Sequence, residues 1–82
     1  MNNVKVLLFA TLKDRAGIKE VNLELAQGAQ VGELKRLLGE RFPNLLTSLP
    51  SALVAVNREF AFDEDPIPAG AEIALFPPVS GG

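Results

Sequence analysis

The sequence predicts an α+β domain, a mixed sheet of about four to five strands with one main helix packed on one face. Three observations carry this. Apolar and polar residues alternate strictly through Val21-Asn22-Leu23-Glu24-Leu25, the pattern of a half-buried strand. Val31, Leu34, Leu37, Leu38 and Phe42 recur at helical spacing, with Glu33, Lys35, Arg36, Glu40 and Arg41 on the other side. The chain has 82 residues, 48% hydrophobic and 22% charged, which suits one small globular domain. A domain of this size buries roughly 60–65% of its unfolded surface in a single core.

The elements follow in order. Val4-Lys5-Val6-Leu7-Leu8-Phe9-Ala10 reads as a strand, apolar on both parities apart from Lys5, which suits a central position. Lys13 to Gly17 reads as a polar connection ending in glycine, so the first two strands should pair as a hairpin. Gln27-Gly28-Ala29-Gln30 is a turn before the helix. Gln30 is a weak N-cap, and Pro43 ends the helix. Leu45, Leu46 and Leu49, bounded by Pro50, form a short turn-like helix that plugs the core. Leu53-Val54-Ala55-Val56 is a third strand, Asn57-Arg58-Glu59 turns, and Phe60-Ala61-Phe62 is a short fourth. Asp63-Glu64-Asp65-Pro66 reads as a solvated turn, because it lacks the glycine-containing spacing of a calcium loop. Pro68-Ala69-Gly70 turns again, and Glu72-Ile73-Ala74-Leu75-Phe76 is the last strand, ended by Pro77-Pro78. This order is the β-grasp arrangement, with the last strand beside and parallel to the first. The expected division is a domain over 1–76 and a flexible tail over 77–82.

Composition removes several function classes. There is no cysteine and no histidine. A thiol nucleophile, a thiolate metal site and the usual neutral-pH acid–base residue are therefore missing, and no metal site is expected. Net charge is −2 with a pI near 5.0, and the eight Lys and Arg are scattered, which argues against nucleic acid. No apolar run approaches the roughly 20 residues of a membrane span, and nothing resembles a signal peptide. The expected location is the cytoplasm.

The diglycine ending reads either as a frayed terminus or as a reactive tail. Two residues without Cβ, Gly81 and Gly82, make the thinnest peptide, able to enter a narrow cleft and present a carboxylate to another protein. The strand before it predicts a docking face. If Ile73 and Leu75 face the helix, Ala74 and Phe76 face outward, because successive side chains alternate. Lys5, Leu7 and Phe9 share a face, and Lys5 belongs on the wetter one. On that reading Leu7, Phe9 and Phe76 form an apolar patch beside the tail root, extended by Phe60 or Phe62; the alternative, which parity alone leaves open, puts Phe9 and Phe76 in the core.

Val56-Asn57, the acidic loop, Pro68-Ala69-Gly70-Ala71-Glu72, the opening strand and above all Phe76-Pro77-Pro78-Val79-Ser80-Gly81-Gly82 resemble the molybdopterin synthase small subunits. These are ubiquitin-like sulfur carriers of molybdenum cofactor synthesis. The likeness spans essentially the whole chain. Two departures stand out: Ala71 where the family often has an acidic residue, and Gln30 where it often has Thr. The resemblance implies that a ubiquitin-activating-like adenylyltransferase uses ATP to adenylate Gly82, and that a sulfur donor then leaves a thiocarboxylate. No cofactor is bound stably; the sulfur is the cargo. The tail, Pro77, Pro78, Val79, Ser80 and Gly81 included, would enter the large synthase subunit and give its sulfur to cyclic pyranopterin monophosphate. The implied assembly has two large and two small subunits. Other readings are a thiamine-pathway sulfur carrier, a ubiquitin-like protein modifier and a plain β-grasp binding module. Phe-Pro-Pro-Val-Ser before the glycines points away from the first, and Ser80 replaces the basic residue that precedes the diglycine of ubiquitin.

Overall fold

The computed structural model describes residues 1–78. Its elements are β1 (Asn2–Leu8), α1 (Ala10–Ala16), β2 (Glu20–Leu25), α2 (Val31–Arg41), two single 3-10 turns (Pro43–Leu45 and Leu49–Ser51), β3 (Leu53–Val56), β4 (Glu59–Ala61) and β5 (Glu72–Phe76). The five strands form one mixed sheet in the order β2-β1-β5-β3-β4. β1 and β2 pair antiparallel, with Val4 opposite Leu23 and Val6 opposite Val21. β5 lies parallel to β1, with Val6 opposite Ile73, and antiparallel to β3, with Val54 opposite Leu75. The last strand is therefore hydrogen-bonded on both sides.

One face of the sheet supplies the core. Val4, Val6 and Leu8 of β1, Val21, Leu23 and Leu25 of β2, and Ile73 and Leu75 of β5 are all buried. Val31, Leu34 and Leu38 of α2 close over them, as the helical spacing predicts. Leu45 and Leu49 fill the end of the core from the 3-10 turns. Leu46 does not; it is 56% exposed, so the predicted leucine plug holds two of its three residues.

Three expectations need correction. β1 starts at Asn2 and stops at Leu8, and it alternates buried and exposed residues rather than being covered on both parities. Phe9 and Ala10 lie outside it. The predicted hairpin connection is a helix: Ala10–Ala16 forms α1, with Leu12 fully buried in the core. The sequence signal for α1 is its end. Gly17 takes the left-handed conformation at φ 75°, and its N–H bonds the Lys13 carbonyl at 2.9 Å, closing the last turn. Lys13 and Arg15 sit in that turn, where the helix dipole favours cations. The third correction is the acidic loop, which does more than turn in solvent. The Val31 N–H donates to the Asp65 carbonyl at 3.0 Å and the Gly32 N–H to the Asp63 carbonyl at 2.9 Å. The loop thus caps α2 in place of the Gln30 side chain, which makes no capping bond. Lys35 Nζ reaches back to Asp63 Oδ1 at 2.9 Å.

Candidate docking face and tail root

The site is built on the sheet face opposite α2. Pairing sets which side chains share that face, because directly opposed residues point the same way. Leu7 stands opposite Ala74, Ala74 opposite Ala55, and Ala55 opposite Phe60. These four residues cross β1, β5, β3 and β4 as one row. Leu53 stands opposite Phe76, and the same register carries a second row through Phe9, Phe76, Leu53 and Phe62. The row next to these, on the side away from the tail, is polar: Lys5 faces Glu72 on β5 and Asn22 on β2. The face is therefore graded along the strands. It is apolar at the end of β5 from which the chain continues into Pro77, and charged at the other end.

The second row is ordered by contact. The Phe9 and Phe76 rings stack with centroids 4.8 Å apart and an interplanar angle of 11°. The Phe9 N–H donates to the Leu75 carbonyl at 3.2 Å, so the chain stays pinned to β5 one residue past the end of β1. Ala10 then has φ 52°, a left-handed conformation that turns the chain sharply into α1. Phe60 and Phe62 are 75% and 77% exposed, and Phe9 and Leu53 about half as much. Burying such side chains stabilises a docked state by ~1.5–3 kcal/mol for each one that passes from fully exposed to fully covered. An exposed stripe of this kind, set beside polar residues, is the mark of a protein interface.

Each sequence-predicted residue within 1–78 can be placed. Leu7, Phe9, Phe60 and Phe76 lie together on the graded face, and Pro77 and Pro78 continue from it, half-buried and exposed respectively. Both Phe60 and Phe62 extend the patch. Val79, Ser80, Gly81 and Gly82 lie outside the described residues. Leu53 was missed. Its parity in β3 was the available signal, since Val54 two strands from β1 points inward and Leu53 must then point out. Among the described residues no group of three His, Cys, Asp or Glu is placed to hold a metal ion. No helix among them is long and apolar enough to cross a membrane.

Comparison with known proteins adds a further layer. Residues 6–82 match the ThiS family. The chain is similar to a molybdopterin synthase sulfur carrier subunit of Dictyostelium discoideum, at 37% identity over 84 residues, covering 99% of this chain and 98% of the other. Its backbone is similar to the crystal structure of the small archaeal modifier protein 1 of Haloferax volcanii. There the TM-score is 0.88 and identity 30%, with 96% of this chain and all of that chain covered. It also shares its fold with a chain in the complex of subunits 1 and 2 of the molybdopterin-converting factor of Helicobacter pylori. That match has a TM-score of 0.68 and 23% identity, and covers 98% of this chain and 99% of that one.

Proposed function

The chain belongs to the ThiS family, and from that premise we propose that it is the sulfur-carrier subunit of a molybdopterin synthase. The observation that carries the reading is the graded face: a stacked aromatic pair and an exposed apolar row end where the chain enters Pro77. Docking on that row points the tail into whatever the partner holds beneath it. The partner is the large synthase subunit, in an assembly of two large and two small chains. The Helicobacter pylori complex gives this pairing a precedent in another protein.

The chemistry is divided between chains. A carboxylate oxygen of Gly82 attacks the α-phosphorus of ATP on an adenylyltransferase, and pyrophosphate leaves. A sulfur nucleophile attacks the resulting acyl-adenylate and AMP leaves, so the Gly82 carboxylate becomes a thiocarboxylate. On the large subunit the thiocarboxylate sulfur, a soft nucleophile, forms a C–S bond to the pyranopterin precursor as a C–O bond of the precursor breaks and its oxygen leaves with the electron pair. Water then releases the sulfur from the acyl group and returns the carboxylate. A dithiolene needs two sulfurs, so two carriers are spent per product. A chain without Cys or His supplies the nucleophile and its delivery; acid–base groups come from the partners. Pro77 to Gly82 reach roughly 20 Å when extended at ~3.3 Å per residue. The two prolines restrict the root of the tail, which lowers the entropy lost on insertion.

The test deletes Gly82. The shortened tail keeps the aromatic row, so docking to the large subunit persists. Its carboxylate falls about 3.3 Å short of the ATP, so thiocarboxylate formation stops. Truncated protein, large subunit, adenylyltransferase, ATP and a sulfur source are mixed with the precursor, and dithiolene product is measured. Product at the wild-type rate rules the carrier role out. Intact mass of the wild-type protein checks the same point through replacement of one oxygen by sulfur.

A second reading is protein modification, favoured by the backbone likeness to a protein named a modifier. It requires the Gly82 carboxyl to form an isopeptide bond with a lysine. Blotting for conjugates of higher mass separates the two, since sulfur transfer leaves none.

A further inference from the structure

We propose that the groove beside the tail root docks a carboxylate of the large subunit, with Arg15 as its anchor. The inference rests on the carrier reading above. The groove, about 450 Å³, is lined by Thr11 and Arg15 of α1 and by Thr47, Ser48 and Ser51 around the second 3-10 turn. Pro77 and Pro78 form its remaining wall. Its lining contains one guanidinium and four hydroxyls and no carboxylate, on a chain whose net charge is −2. It is a locally cationic patch on a protein that is acidic as a whole.

The guanidinium is already oriented. Arg15 Nη1 donates to Ser48 Oγ at 2.5 Å, and Asn44 Nδ2 donates to the Arg15 carbonyl at 3.4 Å. A guanidinium has five donors in a planar fork, and this bond uses one of them. Because Ser48 Oγ accepts there, its own proton points elsewhere and can be given to a ligand. Among the described residues, none of the ion pairs involves Arg15. The fork matches a carboxylate through two parallel bonds, and a pre-oriented fork loses less freedom on forming them. The groove also adjoins the aromatic row: Phe76 belongs to the row and Pro77 to the groove. A protein that closes on the tail from the row therefore covers the groove as well. Arg15 would then be a specificity-determining contact, a polar complement to the apolar stripe.

Calorimetric titration of the full chain with the large subunit, and separately with the adenylyltransferase, tests this. The variants are Arg15→Glu, Arg15→Gln and Arg15→Lys. Arg15 is exposed, so Arg15→Gln and Arg15→Lys should melt within a few degrees of wild type, whereas Arg15→Glu sets an anion at the C-terminal end of α1 and should melt lower, so its affinity is measured well below its midpoint. Arg15→Glu should weaken binding to the large subunit by about tenfold or more, with Arg15→Gln weaker in effect and Arg15→Lys weaker still. The differences should shrink at high salt, as for any rim charge. Wild-type affinity of all three variants for the large subunit overturns the proposal, even if binding to the adenylyltransferase falls, while leaving the carrier reading in place. If wild-type protein binds neither partner, both fall together.

Discussion

Phe76 concentrates the physics of this protein in one side chain. It ends the central strand, stacks on Phe9 and opposes Leu53, and is half-buried on the sheet face opposite the core. Core residues of β5 are on the other parity, at Ile73 and Leu75. A charge at position 76 therefore lies at the edge of the face, partly hydrated in the free protein, and loses the rest of its water on docking. Phe76→Glu should weaken binding to the large subunit by ~2 kcal/mol or more, the usual scale for losing an aromatic anchor. Calorimetry measures the loss, and a thermal melt near the wild-type value confirms that the fold stands. A variant that unfolds while its folded fraction binds normally would instead assign Phe76 to the core. The alternation that places Phe76 was readable from five residues of sequence. The stacking on Phe9 was not, because it depends on the parallel register of two strands far apart in the chain.

At the scale of elements, the short ones were hardest to read. α1 has seven residues and one buried side chain, Leu12, so its apolar periodicity never completes two turns. Its start carries no side-chain cap, since Phe9 occupies the N-cap position. Only Gly17 marked an end, and a glycine after a polar run reads equally as a loop. α2 has eleven residues and several apolar repeats, and its limits were legible to within a residue. Its weak N-cap was legible too, but the compensation was not: the carbonyls of Asp63 and Asp65 come from more than thirty residues away in sequence. The β3–β4 hairpin holds a different kind of strain. Asn57 and Arg58 have φ of 51° and 72°, the signs a two-residue type I′ turn requires. Asn57 is suited to this and ties the turn to β5, since its Oδ1 accepts from the Glu72 N–H at 3.0 Å. Arg58 is not suited, and it is exposed. Arg58→Gly should therefore stabilise the fold by ~1 kcal/mol and raise the melting midpoint by about 5 °C. A midpoint that falls would show that the Arg58 side chain has a structural partner.

Over the whole molecule, the topology was legible because its logic is simple. A strand, a strand, a helix and three further strands leave few ways to bury one apolar face. What sequence could not supply was closure. Asn2 provides part of it from the second residue. It is buried, donates from Nδ2 to the Pro68 carbonyl at 3.0 Å and accepts from the Gly70 N–H at 2.8 Å. The start of β1 is thereby fastened to the loop that feeds β5. Asn2→Ala removes two part-buried hydrogen bonds and frees a carbonyl and an N–H on exposed residues, and should cost ~1 kcal/mol, or roughly 5 °C in melting midpoint. Measured by thermal melt, a change of less than a degree would mean that water replaces the side chain at no cost. The candidate site was half legible in the same way. Its aromatic residues and tail stood out as types, whereas Leu53 and the Arg15 groove depend on which elements meet in space.

The placement of β5 also has a mechanical meaning. The tail continues from a strand clamped between two neighbours, one parallel and one antiparallel. A pull on the tail runs along β5, so it loads both ladders in shear and strains their bonds together rather than peeling them one at a time. A tail drawn into a cleft, or tugged free of one, can thus bear tension without unravelling the body that carries it. The domain works as an anchor block, and its central strand as the embedded end of the cable.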